Sequence, residues 1–385
     1  MSADVKSAGS RIALVAGEAS GDHLAAHLMA ALKEKLPQIA FFGIGGQNMR
    51  AQGMDIWWPM EKLAVMGYVE VLKRYREISG IRRALGSRLR AEKPDMFIGV
   101  DAPDFNLDLE IALKAKGVKT LHYVSPSIWA WRSRRIRKIA RAADRVLALF
   151  PMEPPLYRQA GIPVTYVGHP LADQIPLVTD KTAMREKLGL PKDKVIYALL
   201  PGSRQPEVES LGETFIQAAR LIHARVPNAL FLVPLITHET RLAFEMARYR
   251  QSAQTLPFHL MFGHAREAMG ASDAVLVASG TATLEAALIK RPMVIAYKLA
   301  PLTYRLMKLR ALLPYVGLPN ILAGRFIVPE FLQDEAAPEK LADALLKEST
   351  PERARELDVE FTRIHNALCQ NTAEKAAAAV LELLA

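Results

Sequence analysis

The chain has one cysteine, Cys369, in 385 residues, which excludes an internal disulfide and a cysteine-based metal site and fits a reducing compartment. It has no long apolar run. Charge-free stretches such as Ala311–Gly324 fall well short of the ~20 residues a membrane span needs, and that one carries two prolines, so any membrane contact is expected to be peripheral. The opening MSADVKSAGS lacks an apolar core and does not read as a secretory signal. There is no short repeat, no low-complexity tract and no recognisable nucleic-acid module. With half the residues hydrophobic and 23% charged, wholesale disorder and a collagen-like repeat are excluded.

What is present is a basic chain long enough for two or three domains. Fifty Lys and Arg against 40 Asp and Glu leave a net charge of +10, which brings an anionic partner into view. The excess is local. Residues 1–175 hold 25 basic and 17 acidic side chains, residues 176–385 hold 25 and 23, and two segments of the first half, Lys73–Lys93 and Arg132–Arg145, carry +6 each.

From Arg11 short apolar runs alternate with amphipathic stretches. Strands are expected at Ile12–Ala16, Ala40–Ile44, Met96–Val100, Lys119–Val124, Arg145–Leu149 and Thr165–Val167. The pattern then repeats, with strands at Val195–Leu200, Ala229–Pro234, His259–Met261, Ala274–Val277 and Met293–Ala296. Strands alternating with helices imply parallel, doubly wound α/β sheets. The expected organisation is therefore an α/β domain over 1–175, a second over 176–350, and helices over 351–385 long enough to cross back onto the first.

Several polar motifs follow strands directly. Gly17-Glu18-Ala19-Ser20-Gly21-Asp22 leads into a helix, a geometry that offers backbone N–H groups at a carboxyl edge, although the dinucleotide spacing G-x-G-x-x-G is absent; the simpler reading is a tight turn with Ser20 or Asp22 as helix N-cap. Gly43-Ile44-Gly45-Gly46 is a similar, weaker turn. Asp101, in Gly99-Val100-Asp101-Ala102-Pro103-Asp104-Phe105-Asn106, has the placement of a general base, or belongs to an Asx turn. Gly202-Ser203-Arg204 combines turn N–H donors with a planar cation suited to phosphate. Ser279-Gly280-Thr281 opens another helix, and Glu285 lies one turn on, where it can receive ribose hydroxyls or close a capping box with Thr281 or Ala282. Asn320 sits in an apolar loop, Gly317–Leu322, where it contacts a nucleotide or satisfies neighbouring backbone.

In the first basic segment Val69, Leu72, Tyr75, Ile78, Ile81 and Leu85 recur every three or four residues, with Lys73, Arg74, Arg76, Arg82 and Arg83 between them. With Val65 and Met66 just upstream, this suits the interface of an anionic membrane; a solvated helix packed on its own core has the same pattern. The second segment follows Trp129 and Trp131, and aromatics beside arginines also suit nucleic acid.

Taken together, AGEASGD, GVDAPDFN, HYVSPSIWAWR, LPGSR, SGTATLEA and GLPNILAGR resemble, in order and spacing, the lipid-A-disaccharide synthases, over nearly the whole chain from Arg11. The resemblance implies a GT-B glycosyltransferase of two Rossmann-like domains with its active site in the cleft between them. It implies transfer from UDP-2,3-diacylglucosamine to 2,3-diacylglucosamine 1-phosphate with inversion, giving a β-1′,6-linked disaccharide 1-phosphate and UDP.

Carried onto this sequence, Asp101 matches the essential aspartate, and Arg204 with its turn, Ser279, Gly280, Thr281, Glu285 and Asn320 match the UDP site. Gly17, Glu18, Ser20, Gly21 and Asp22 border the acceptor side. No Asp-x-Asp pair stands at a strand end, so neither metal nor cofactor is expected. The resemblance also implies a homodimer with exchanged carboxyl-terminal segments and a cytoplasmic enzyme docked on the anionic inner leaflet of the inner membrane, with no nucleic-acid partner. The competing expectations are another UDP-sugar GT-B enzyme, such as a hexosaminyltransferase on a different lipid or a UDP-N-acetylglucosamine epimerase, and a non-enzymatic basic protein that binds membrane or nucleic acid.

Overall fold

The computed structural model describes residues 9–63, 68–130, 135–300, 304–305, 308 and 312–385, and of residues 68–75 the backbone alone. The chain divides into two compact units: Met1–Asp173 joined by Leu368–Ala385, and Gln174–Ala367.

In the first unit the strands are β1 (Arg11–Ala16), β2 (Ala40–Gly45), β3 (Asp55–Pro59), β4 (Met96–Val100), β5 (Lys119–Tyr123), β6 (Arg145–Ala148) and β7 (Val164–Tyr166). Among the described residues they form one parallel sheet in the order β3-β2-β1-β4-β5-β6-β7. Helices cover both faces, so the central strands are unbroken apolar runs, RIALVA and MFIGV, buried on both sides. Chain order reverses between β1 and β4, which pair Val15 with Gly99 and Ala16 with Val100.

The second unit repeats the plan with β8 (Val195–Leu200), β9 (Ala229–Leu235), β10 (Phe258–Phe262), β11 (Ala274–Ala278), β12 (Met293–Tyr297) and β13 (Glu330–Leu332), in the order β10-β9-β8-β11-β12-β13. Its reversal falls between β8 and β11. The expected strands are present with ends moved by a residue or so. The short strands β3 and β13, which the apolar pattern did not announce, are both edges of their sheets.

Helix Pro351–Leu368 belongs mainly to the second unit, and only the segment from Leu368 returns to the first. There helix Thr372–Leu384 packs on helix Ala19–Lys35, adding Ala376, Ala377, Ala379 and Val380 to the core. Asp173 receives the backbone N–H groups of Gln370, Asn371 and Thr372 at 3.0, 3.1 and 2.7 Å, fixing the start of that helix. Lys35–Glu374 at 2.9 Å and Arg145–Glu382 at 2.6 Å hold its flanks.

No helix of the described residues is long and apolar enough to cross a membrane. Of the membrane-docking candidates, Val65 and Met66 lie outside the described residues, as do the side chains of Val69, Leu72, Lys73 and Arg74. Further along helix Tyr68–Glu92, Leu85 and Leu89 are fully buried, and Ile78 and Ile81 pack against the same core. This part of the stripe is therefore the inner face of an ordinary helix. Arg82 is bonded to Asp108 at 2.9 Å, Arg83 reaches its own helix at the Ser79 carbonyl, 3.4 Å away, and Arg76 is exposed. In the second basic segment Lys138 pairs with Asp108 at 2.6 Å and Arg135 with Asp104, so helix Pro103–Lys114 neutralises cations of both segments.

Candidate functional site

In each sheet two of the polar motifs, those after β1 and β4 and those after β8 and β11, stand at the carboxyl ends of the strands that flank the reversal of chain order. This is the position at which open α/β sheets bind ligands, because helices departing to opposite faces leave a crevice there.

In the first unit Gly17 follows β1 and Asp101 follows β4. The two turns touch: a Cβ on Gly17 would lie 3.1 Å from that of Ala102. The Asp101 N–H donates to the Tyr123 carbonyl at 2.8 Å, and the chain then turns through two successive left-handed residues, Asp101 at φ +51° and Ala102 at φ +43°. Val124, at the end of β5, has φ +76°. Left-handed backbone costs a residue with a side chain on the order of 1–3 kcal/mol and is tolerated where the surroundings over-determine it, typically at functional sites. Burial pushes the Asp101 carboxyl above the usual carboxylate range, opposed by the charge of His122 and by the Ala102 N–H. Helix Pro103–Lys114 begins after Ala102 without a side-chain cap, so Asp101 is not simply a capping residue.

The other acceptor-side candidates separate into two groups. Glu18 and Ser20 are exposed, and Glu18, rather than Ser20 or Asp22, occupies the N-cap of helix Ala19–Lys35. Gly21 packs closely under Ala16 and Val100. Asp22 is turned inward and buried. Its Oδ1 accepts from Gly46 N at 2.7 Å and Met49 N at 3.1 Å, and its Oδ2 from Asn48 N and Nδ2 at 3.0 and 2.9 Å. These four bonds go to Gly46 and the first turn of helix Gln47–Ala51 after β2, so Asp22 anchors that helix start and is not presented to a ligand.

Beyond β5, Ser125 Oγ and Tyr157 OH share a hydrogen bond of 2.7 Å, and Trp129 Nε1 donates to buried Glu153 at 3.1 Å. Burial pushes the Glu153 carboxyl up to about 7, against the donors Phe150 N–H, Trp129, Ser125 and Leu149 N–H. His169 is held neutral, its imidazolium pushed down to about 4 by burial.

In the second unit Gly202 follows β8 with φ +145°, and a Cβ there would strike Glu207 at 2.3 Å. Glu207 Oε2 gathers Ser203 N and Arg204 N at 2.9 and 3.3 Å, shaping the turn and leaving the Arg204 guanidinium half exposed. After β11, Ser279 Oγ donates to the Val316 carbonyl at 3.0 Å, and helix Thr281–Leu288 starts from Gly280 with no side chain capping it. The capping box expected for Glu285 is therefore not formed. Its carboxylate lies 3.6 Å from Arg266 Nε, and burial raises its pKa, with Arg266 acting in the opposite direction.

Asn320 lies on the short helix Leu318–Ala323 rather than in a loop, and it spends its whole amide on the segment leading into β13 and on Glu330 of that strand. Oδ1 accepts from Ile327 N and Val328 N at 2.7 and 3.0 Å, while Nδ2 donates to Val328 O and Glu330 Oε1 at 2.9 and 2.8 Å. These are the bonds of the backbone-satisfying reading, and they give Asn320 only an indirect influence on the site. A cavity of about 430 Å³ lies by the segment preceding this helix, lined by Tyr297, Leu299, Leu312, Leu313, Val316 and Leu332 among others.

Three buried residues escape inspection of the sequence: Asn106, Glu110 and His122, which cluster beneath Asp101. The signal available was a carboxylate on the inner face of helix Pro103–Lys114 and a histidine within strand β5, both at positions whose neighbours are apolar.

Two parallel α/β units with ligand-type turns at both reversal points define a GT-B glycosyltransferase fold. Solved structures agree: the UDP-GlcNAc 2-epimerase from Neisseria meningitidis bound to UDP-GlcNAc matches with a TM-score of 0.61 at 14% identity, over 98% of this chain and 99% of that one. Acinetobacter baumannii MurG matches at 0.55 and 14%, over 98% and 99%. A family model described as lipid-A-disaccharide synthetase matches residues 12–383. Among curated relatives, the lipid-A-disaccharide synthase of Dechloromonas aromatica is 66% identical over 97% of this chain and 98% of its own length, and that of Chromobacterium violaceum 58% identical over 97% of each. The chain belongs to the lipid-A-disaccharide synthase family and is a glycosyltransferase.

Proposed function

We propose that the protein condenses UDP-2,3-diacylglucosamine with 2,3-diacylglucosamine 1-phosphate, forming the β-1′,6-linked disaccharide 1-phosphate and releasing UDP. The observation that carries this reading is the placement of the family's motifs at the reversal points of both sheets. A binding protein acting through charge alone needs no such arrangement, and an epimerase needs no lipid acceptor.

In this reading Asp101 takes the proton from the acceptor 6-hydroxyl as that oxygen attacks the donor's anomeric carbon. Burial, which raises its pKa above the usual carboxylate range, makes the Asp101 carboxylate a stronger base than an exposed one. The glycosidic bond to UDP breaks as the new bond forms, with inversion. Negative charge developing on the departing diphosphate is stabilised by Arg204 and by the N–H groups at the start of helix Thr281–Leu288, work that a divalent cation performs in other transferases. Glu285 receives the ribose hydroxyls. The apolar cavity beside Val316 takes donor acyl carbons.

Lipid substrates call for contact with the inner leaflet, and the sequence between Ala64 and Tyr75 is the segment suited to it. From Ile78 onward the same helix is engaged with its own core. Exchange of the segment from Leu368 between two copies is the corresponding reading of the dimer.

Incubating the purified protein with both lipids tests the activity: UDP and disaccharide 1-phosphate appear in equal amounts. UDP release without a disaccharide, or conversion of the UDP-sugar alone, refutes it.

A further inference from the structure

Glu110 and His122 are both fully buried, with His122 Nδ1 2.7 Å from Glu110 Oε1. Glu110 Oε2, His122 Nε2 and Asn106 Oδ1 are buried with no hydrogen-bond partner. Buried polar atoms are nearly always satisfied, and an ion-pairing couple placed in a core seldom adds stability. A cluster of this kind calls for a role other than holding the fold.

Its location indicates one. Asn106 and Glu110 are one turn apart on helix Pro103–Lys114, and His122 pairs with Gly99 in the β4–β5 register. Gly99 makes the room: a Cβ there would lie 2.2 Å from Glu110 Oε1 and 2.8 Å from Asn106 Cβ. From this pocket Asn106 Nδ2 donates to the Asp101 carbonyl at 2.8 Å and to the Val15 carbonyl at 3.3 Å, tying the left-handed turn to the neighbouring strand. The Asp101 N–H is held on the other side by Tyr123 O. The peptide groups of Asp101 are thus fixed from β1, β5 and the following helix together.

We propose that Asn106 is the positioning residue for Asp101, its amide holding the left-handed backbone in the one arrangement that presents the carboxyl for the transfer. This rests on Asp101 being the base. Positioning of a reacting group is worth orders of magnitude in rate, and a misplacement of about 1 Å costs on the order of a hundredfold. Loss of the Asn106 donor therefore acts on turnover rather than on nucleotide affinity, because the proposed UDP contacts belong to the second unit.

The test compares Asn106→Ala and Asn106→Leu with Asp101→Asn. For each, kcat and KM with both lipids, UDP affinity and the unfolding midpoint are measured. Asn106→Ala is expected to lower kcat at least tenfold, with donor KM and UDP Kd within twofold of the parent. Asn106→Leu fills the buried site without the donor and is expected to lower kcat in the same way, so it decides the matter if Asn106→Ala does not fold. Unchanged kcat in a folded variant, or a loss confined to KM or UDP affinity, overturns the proposal while leaving Asp101 in place. Parental turnover in Asp101→Asn instead overturns the base assignment, and the positioning role with it.

Discussion

Glu153 should make the stability of the first unit fall as the solution becomes alkaline. Its carboxyl is held near 7 in the folded state by burial, against an ordinary value of 4.5. The folded protein thus binds a proton that the unfolded chain has released, and the stabilisation is complete below pH 4.5 and lost as pH rises through 7. Holding a carboxyl that far above its usual range corresponds to about 3 kcal/mol. Glu153→Gln removes the titration and keeps one oxygen, which can accept from Trp129 Nε1 or from the Phe150 N–H but not from both, since these now bond to different carboxyl oxygens. At pH 5 the variant should be less stable than the parent by about 1–3 kcal/mol for the donor left unpaired, and between pH 5 and pH 8 the variant-minus-parent difference should rise in the variant's favour by up to about 3 kcal/mol. His169 works with the opposite sign, its contribution present above 6.5 and lost as pH falls through 4, but it is common to both proteins and cancels in the difference. All four tryptophans, Trp57, Trp58, Trp129 and Trp131, lie in the first unit, so urea titrations followed by tryptophan fluorescence at pH 5, 6, 7 and 8 read that unit. A variant-minus-parent difference that is the same at every pH would show that the carboxyl is not held protonated, and the reasoning would fail.

Gly99→Ala should destabilise the first unit by about 1–3 kcal/mol, since the new methyl overlaps the Glu110 carboxylate; an unchanged urea midpoint would mean the cluster yields freely. Glu285→Ala should weaken UDP binding about tenfold by calorimetry, roughly 1.4 kcal/mol, and an unaltered Kd would remove Glu285 from the nucleotide site. For the basic helix, the double change Val69→Ser and Leu72→Ser should reduce co-sedimentation with anionic vesicles at low salt without moving the unfolding midpoint. Leu85→Ser, at a fully buried position, should cost more than about 2 kcal/mol; vesicle binding insensitive to both salt and the Val69 and Leu72 changes would refute docking through this segment.

Central strands such as MFIGV and AVLVA were legible in the sequence because a parallel strand covered on both faces must be apolar throughout. Edge strands carry no such requirement, and DIWWP and EFL, each only partly buried, look like loop. The turns after β1, β4, β8 and β11 were legible for a related reason: a change from apolar run to Gly, Ser and Asp marks the strand's carboxyl end. What each side chain does there was less so. Asp22 serves a turn some 24–27 residues away, and Glu110 meets His122 across two elements, contacts that no local spacing encodes. Asn320 and Glu285 show the same limit in opposite directions. The first, on a helix where a loop was expected, is consumed by the segment leading into β13, while the second is free of the capping bond that its spacing allowed.

The return of the segment from Leu368 to the first unit has a consequence in time. The ribosome makes all of Gln174–Ala367 between the first unit's seven strands and the helix that completes its core. At roughly 5–20 residues per second, that delay is on the order of 10–40 s. Throughout it, the face of helix Ala19–Lys35 that later meets Ala376, Ala377 and Val380 has no covering helix of its own. The contact that completes this core is therefore the last to become available, and a chain that stopped short of Leu368 would leave that face of helix Ala19–Lys35 uncovered.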